Sequence, residues 1–261
     1  MPREESHHDQ QPRKKKGSLG LVLGILAGVF VLCCGSIGIG GYFVWDRVVT
    51  PARQEETTAH NLQQIGLAMH NYHDPNAALP NNTYDVNGQP LLSWRVHILP
   101  FLGPEEQALY RQFKLDEPWD GPTNKPLIAR MPKVYDSGRS GSAEGFTTYR
   151  GFSHEGAIFE KPPRPGIQMQ VTLPAISVQD GTENTIMVVD AGESVEWTRP
   201  LDIDWPPGKP RPALGGPGRS HCMVLMADAS VHPMRKDVVD QTLRNLIDRR
   251  DGNVIPPGWD Q

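Results

Sequence analysis

Cysteine is scarce in this chain, with three in 261 residues. Cys33 and Cys34 are adjacent and Cys222 stands alone, so no disulfide framework can hold the fold and no spacing resembles a zinc site. A strong excess of charge is missing too. A formal net charge of −4, with no basic stripe, gives no reason to expect nucleic acid as a partner. No G-x-S-x-G, P-loop, H-E-x-x-H or dinucleotide fingerprint occurs. Ser220-His221-Cys222 sets three reactive types in a row, but neighbours on a strand point to opposite faces and form no relay. A non-catalytic chain without a cofactor is therefore expected. No repeat of fixed period is visible.

Proline (25) and glycine (26) are plentiful, proline at about twice its average share of roughly a twentieth. Turns and short elements should be common. One run dominates the rest. Gly17 to Trp45 carries no charge, and these roughly 29 residues, at ~1.5 Å each in a helix, exceed a ~30 Å hydrocarbon core. Lys14, Lys15 and Lys16 precede it, which places the N-terminus in the cytoplasm and the large domain beyond the inner, cytoplasmic membrane. A cleavable secretory signal is the competing reading, but its apolar core is shorter, ~7–15 residues. Tyr42-Phe43-Val44-Trp45 suits an interfacial anchor better than a cleavage site. The expected organisation is a disordered cytoplasmic tail (1–16), a transmembrane helix (17–45), an extracytoplasmic domain (50–250) and a loose C-terminal tail (251–261). Gly20, Gly24 and Gly28 share one helix face. That face suits association with a second copy or another envelope protein, although glycine is common in membrane helices anyway.

Thr50-Pro51 can open a further helix. Ala59, Leu62, Ile65, Met69 and Tyr72 recur at steps of three and four, one apolar face that predicts packing on something C-terminal. The helix should stop near His73, because Asp74 precedes Pro75. His70, His73 and Asp74 have the spacing of a metal-binding face, though with no further ligand evident the reading preferred is a helix end whose histidines meet the dipole. Asp116, Glu117 and Asp120 can seat a calcium ion or bond the local backbone before the next helix.

Further on, Leu92, Trp94, Val96 and Ile98 alternate with polar residues and predict a half-buried strand. Pro104 opens a short helix. Thr147–Arg150 and Ala157–Phe159 read as short strands, and Thr185–Val189 as a central one. Glu193–Asp204 gathers carboxylates near tryptophan. Leu201–Gly218 is a long loop, Cys222–Ala227 and Ser230–Met234 a hairpin, and Asp237–Arg249 a terminal helix. The sum is an α+β domain with helices on a mostly antiparallel sheet.

Several of these segments resemble a known family. His60-Asn61-Leu62-Gln63-Gln64-Ile65-Gly66-Leu67-Ala68-Met69-His70-Asn71-Tyr72-His73-Asp74 is similar to the signature helix of the prepilin-like family of planctomycete bacteria, known as domain of unknown function 1559. Ser93–Val96, Asp116–Asp120, Met131–Tyr135 and Asp180–Ile186 are similar to that family's segments in order and spacing. The resemblance implies a type IV pilin or type II secretion pseudopilin architecture, its N-terminal helix partly in the membrane and partly packed on an antiparallel sheet. Two positions depart from the pattern. Val22 stands where pilins carry a glutamate five residues past the cleavage glycine, here Gly17, so filament assembly through that charge is not expected. Gly218 and Ala229 stand where the family has histidine and glycine. The expected function is a single-pass envelope protein acting through protein contacts. The alternative is an extracytoplasmic module binding a ligand, glycan or ion near the carboxylates named above.

Overall fold

Helix α1 (Thr50–Asn76) is the longest element of the computed structural model, which describes residues 50–139 and 143–260. The charge-free run, the Gly20/Gly24/Gly28 face and the N-terminal tail lie outside the described residues. Among the described residues no helix is long and apolar enough to cross a membrane. Ala52–Gln261 forms one compact unit.

The buried face of α1 follows the predicted spacing at Leu62, Ile65 and Met69, while Ala59 and Tyr72 at its ends are half-buried. Leu62, Ile65, Ala68 and Met69 are buried, and so are Thr58 and Asn61. Asn61 is accommodated because its Nδ2 donates to the carbonyl of Asp136 at 2.8 Å. The helix also runs past its expected end. Pro75 lies within its last turn, and Asn76 Nδ2 donates to the carbonyl of Tyr72 at 2.7 Å. Termination comes at Ala77, whose φ of 52° closes a bond from its N–H to the carbonyl of His73 at 2.7 Å.

The sheet has four strands in the order β1 (Phe146–Arg150), β2 (Ile186–Glu196), β3 (His221–Met226) and β4 (Val231–Arg235), every pair antiparallel. Two hydrophobic clusters form against it. One joins Leu62, Ile65 and Met69 of α1 to Met187, Val188 and Leu225. The other joins Leu243, Leu246 and Ile247 of the terminal helix (Asp240–Ile247) to Ile186, Val189 and Val224. Helices thus cover both faces, which is why β2 opens as a continuous apolar run rather than an alternating one. A register shift between Ile186 and Val188 leaves both Met187 and Val188 in the first cluster.

Three local expectations are corrected. The segment expected as a half-buried strand is a short helix (Trp94–His97) followed by a 3-10 turn (Leu99–Phe101). Its polar residues are not solvent-facing, since Ser93 and Arg95 are fully buried. Ser93 caps the helix by accepting the N–H of Arg95 at 3.3 Å. Ala157–Phe159 is a buried turn after Gly156, whose φ is 90°. Between these and β2 lies a helix without a forecast, Leu173–Gln179, started by Pro174 in its first turn and by Thr172, which accepts the N–H of Ala175 at 3.2 Å. The residues expected as a loose tail make specific contacts: the Trp259 carbonyl accepts the N–H of Arg235 at 3.1 Å, and its ring meets that of His232.

Both sheet edges have backbone groups engaged. The Tyr149 carbonyl of β1 accepts two N–H groups of Arg95, at 2.9 and 2.6 Å. In β4, Pro233 has no N–H to offer and Arg235 is held by Trp259. Such edges resist pairing with a foreign strand.

At the hairpin, Ala229 has a φ of 69°. An L-residue there costs about 1–2 kcal/mol, partly offset by the greater chain entropy of glycine when unfolded. Ala229→Gly is expected to stabilise the domain by about 0.5–1 kcal/mol, read as a raised melting temperature. A lowered one would show that the contact of Ala229 beneath Gly66 outweighs the strain.

Candidate functional site

The histidines of α1 serve as tethers. His70 Nε2 lies 2.8 Å from the Ala227 carbonyl, so it carries the proton and donates to the β3–β4 turn. His73 Nε2 accepts the N–H of Leu173 at 3.3 Å, so it is unprotonated and holds the start of another helix. Asp74 is exposed. The two rings serve different segments, and the three residues are not brought together as a metal face. The second acidic group is likewise divided. Glu117 accepts the N–H and hydroxyl of Thr123 at 2.6 and 2.9 Å, hydrogen bonds that hold its carboxyl below the usual range. Asp116 and Asp120 are exposed. The turn is organised by buried Asn124, whose Nδ2 donates to the carbonyls of Lys114, Glu117 and Pro118, and whose Oδ1 accepts the N–H of Lys114. Among the described residues no group of three or more His, Cys, Asp or Glu is arranged to hold a metal.

Ser220 and His221 do meet, with Oγ 2.8 Å from Nδ1, because Ser220 lies one residue outside β3 and escapes strand alternation. Cys222 turns inward, and burial pushes its thiol up to about 12, away from the nucleophilic thiolate.

Asp202 is a buried carboxylate with four donors. Its Oδ1 accepts from Trp94 Nε1 (3.3 Å), Arg95 Nη2 (3.3 Å) and the Gly151 N–H (2.9 Å), and its Oδ2 from Asn82 Nδ2 (2.7 Å). Arg95 is completely buried, and its other donors go to the Tyr149 carbonyl and the Ser93 hydroxyl. With four donors on one buried carboxylate, this centre joins four stretches of chain, around residues 82, 93–95, 149–151 and 202, and its role is structural.

A second carboxyl is held differently. Asp180 Oδ2 accepts the Thr185 hydroxyl at 2.8 Å, while Oδ1 is buried without a partner. Burial, then the charge of Asp251, raise its pKa from 3.8 to about 6. Between those values the folded state holds more protons than the unfolded chain, so stability falls as pH rises through that window. Asp180→Asn is expected to flatten this slope and to add about 1 kcal/mol at pH 7, allowing for solvent screening. Thermal melts from pH 3.5 to 7 measure it. An unchanged slope would place the proton uptake elsewhere.

The remaining polar concentration surrounds the loop between β2 and β3. Arg139 Nη2 pairs with buried Asp190 at 2.6 Å, and Asp190 also accepts the Thr148 hydroxyl at 2.6 Å. Arg211 Nη1 binds Asp240 at 2.9 Å and the Val238 carbonyl. Arg219 Nη2 donates to Gln54 Oε1 of α1, and Lys236 Nζ to the Gly216 carbonyl at 2.8 Å. A cleft of about 500 Å³ opens here, lined by Gly192, Arg211, Ala213, Gly215, Pro217 and Lys236 among others. None of these cations stood out in the sequence. The available signal was Leu214-Gly215-Gly216-Pro217-Gly218 set between Arg211 and Arg219.

These features define an α+β protein with helices on both faces of an antiparallel sheet and a cationic cleft beside it. A family model described as "Protein of unknown function (DUF1559)" matches residues 52–221, more than half of the chain, and the chain belongs to that family. No curated protein and no solved structure matches it.

Proposed function

We propose that the chain is a single-pass envelope protein, anchored in the inner membrane by Gly17–Trp45, whose pseudopilin-like outer domain works through protein contacts without catalysing a reaction. The observation that carries this reading is the placement of α1. It begins shortly after the charge-free run and buries Leu62, Ile65, Ala68 and Met69 in the core against one face of an antiparallel sheet. In this reading the helix links the anchor to the folded domain. The engaged sheet edges favour contact through side-chain surfaces over strand addition. Leu67, 61% exposed between buried turns of α1, is a suitable reporter position.

A photo-crosslinking residue at position 67 of the full-length chain in native membranes should give discrete adducts of one or two sizes. If irradiation gives none there or at other exposed positions, and the purified chain turns over a substrate, the reading fails.

A further inference from the structure

Four cations approach the loop from Arg211 to Arg219, and their partners are unequal. Arg139 and Arg211 have carboxylates, Asp190 and Asp240. Among the described residues, Arg219 and Lys236 are held by the neutral oxygens of Gln54 and Gly216. The nearby Asp237 is occupied by Arg235 through two bonds of 2.9 and 2.7 Å. Arg211 lines the cleft, and its Nη2 is buried with no hydrogen-bond partner. Above Gly216, the side chains of Arg139 and Arg219 converge. A Cβ built on that glycine would have both Nε atoms 3.6 Å away. Asp190 neutralises Arg139 there, which leaves Arg219, bonded to the neutral Gln54, as the uncompensated charge of the pair among the described residues.

We propose that this cleft binds a small ligand bearing an oxyanion head group, with Arg211 and Lys236 of its lining as donors and Arg219, beside Gly216, adding charge from outside that lining. Guanidinium forks and an ammonium suit carboxylate, sulfate or phosphate oxygens. The volume of about 500 Å³ accommodates more than the head group. Pro212, Ala213, Leu214 and Pro217 offer a weakly polar wall for the ligand's body, such as a sugar ring. Glycine at position 216 keeps the approach between the two arginines open. Such binding requires neither the membrane anchor nor a protein partner.

Isothermal titration of the purified full-length chain with galacturonate, glucose 6-sulfate and inorganic phosphate tests it, and the three arms separate the head groups. At least one should bind with Kd below about 1 mM. The double variant Arg219→Gln/Lys236→Gln should lose at least tenfold in affinity, while Lys209→Gln, a charge paired with Asp204 and not among the residues lining the cleft, should lose none. The same ligand should protect Lys236 from acetylation, read by mass spectrometry on the unmodified chain, so a variant that fails to fold does not end the test. No binding in any arm, equal loss in the Lys209 variant, or unprotected Lys236 at saturation would overturn the proposal.

Discussion

Asp202→Ala should destabilise the domain by about 3–5 kcal/mol, the range for removing one partner of a buried ion pair. The carboxylate satisfies four donors at once. Without it, Arg95 keeps its charge in a site with no access to water, and Trp94 Nε1, Asn82 Nδ2 and the Gly151 N–H lose their acceptor. Burial disfavours the charged guanidinium, and the negative charge of Asp202 does most to favour it again. The damage should extend to the edge of the sheet, because the same guanidinium holds the Tyr149 carbonyl of β1. Urea unfolding followed by tryptophan fluorescence reads the loss, with Trp94 as a local reporter. Asp202→Ala together with Arg95→Met should recover part of it, since the orphaned charge is then gone. A single variant that loses under about 1 kcal/mol would mean that water reaches the site and replaces the carboxylate.

Ile65→Ala should cost about 2–4 kcal/mol. Its side chain is wholly buried, in the same cluster as Met187, Val188 and Leu225 of the central strands. Close packing on that side is evident at the next residue: a Cβ on Gly66 would lie 2.8 Å from Leu225 Cδ1. The matched control is Leu67→Ala, exposed two positions along, expected within about 0.5 kcal/mol of the parent. Equal losses at the two positions would contradict the docking of α1. The pair therefore tests which face of the helix is inward, not merely whether the helix exists.

What could be read from sequence and what could not divides along physical lines. The docking face of α1 was legible because a regular helix projects a period onto its residues. The terminal helix was legible for the same reason, and the Cys222–Met234 hairpin because two apolar runs flank the turn at Asp228-Ala229. The 92–98 segment misled because alternation signals a strand only when one face meets water. Here Ser93 and Arg95 are as buried as Leu92 and Trp94, and the polar side chains meet partners distant in sequence. The Asp202 centre was invisible for that reason, its donors coming from residues 82, 94, 95 and 151. The metal readings of His70–Asp74 and Asp116–Asp120 treated spacing as convergence. In the fold, His70 and His73 aim their Nε2 atoms at different backbone segments. The cationic cleft escaped notice because Arg139, Arg211, Arg219 and Lys236 are spread widely along the chain and meet only after the sheet assembles.

The central claim is a chain held in the membrane by its N-terminal run, with its folded domain outside. The most direct measurement is mass spectrometry of the mature N-terminus from native membranes, combined with protease accessibility in intact cells stripped to expose the inner membrane. The expected result is an N-terminus still carrying Lys14–Lys16, with peptides before Gly17 protected and peptides after Trp45 digested. A soluble chain, or one cleaved within Gly17–Trp45 and released, would contradict the claim.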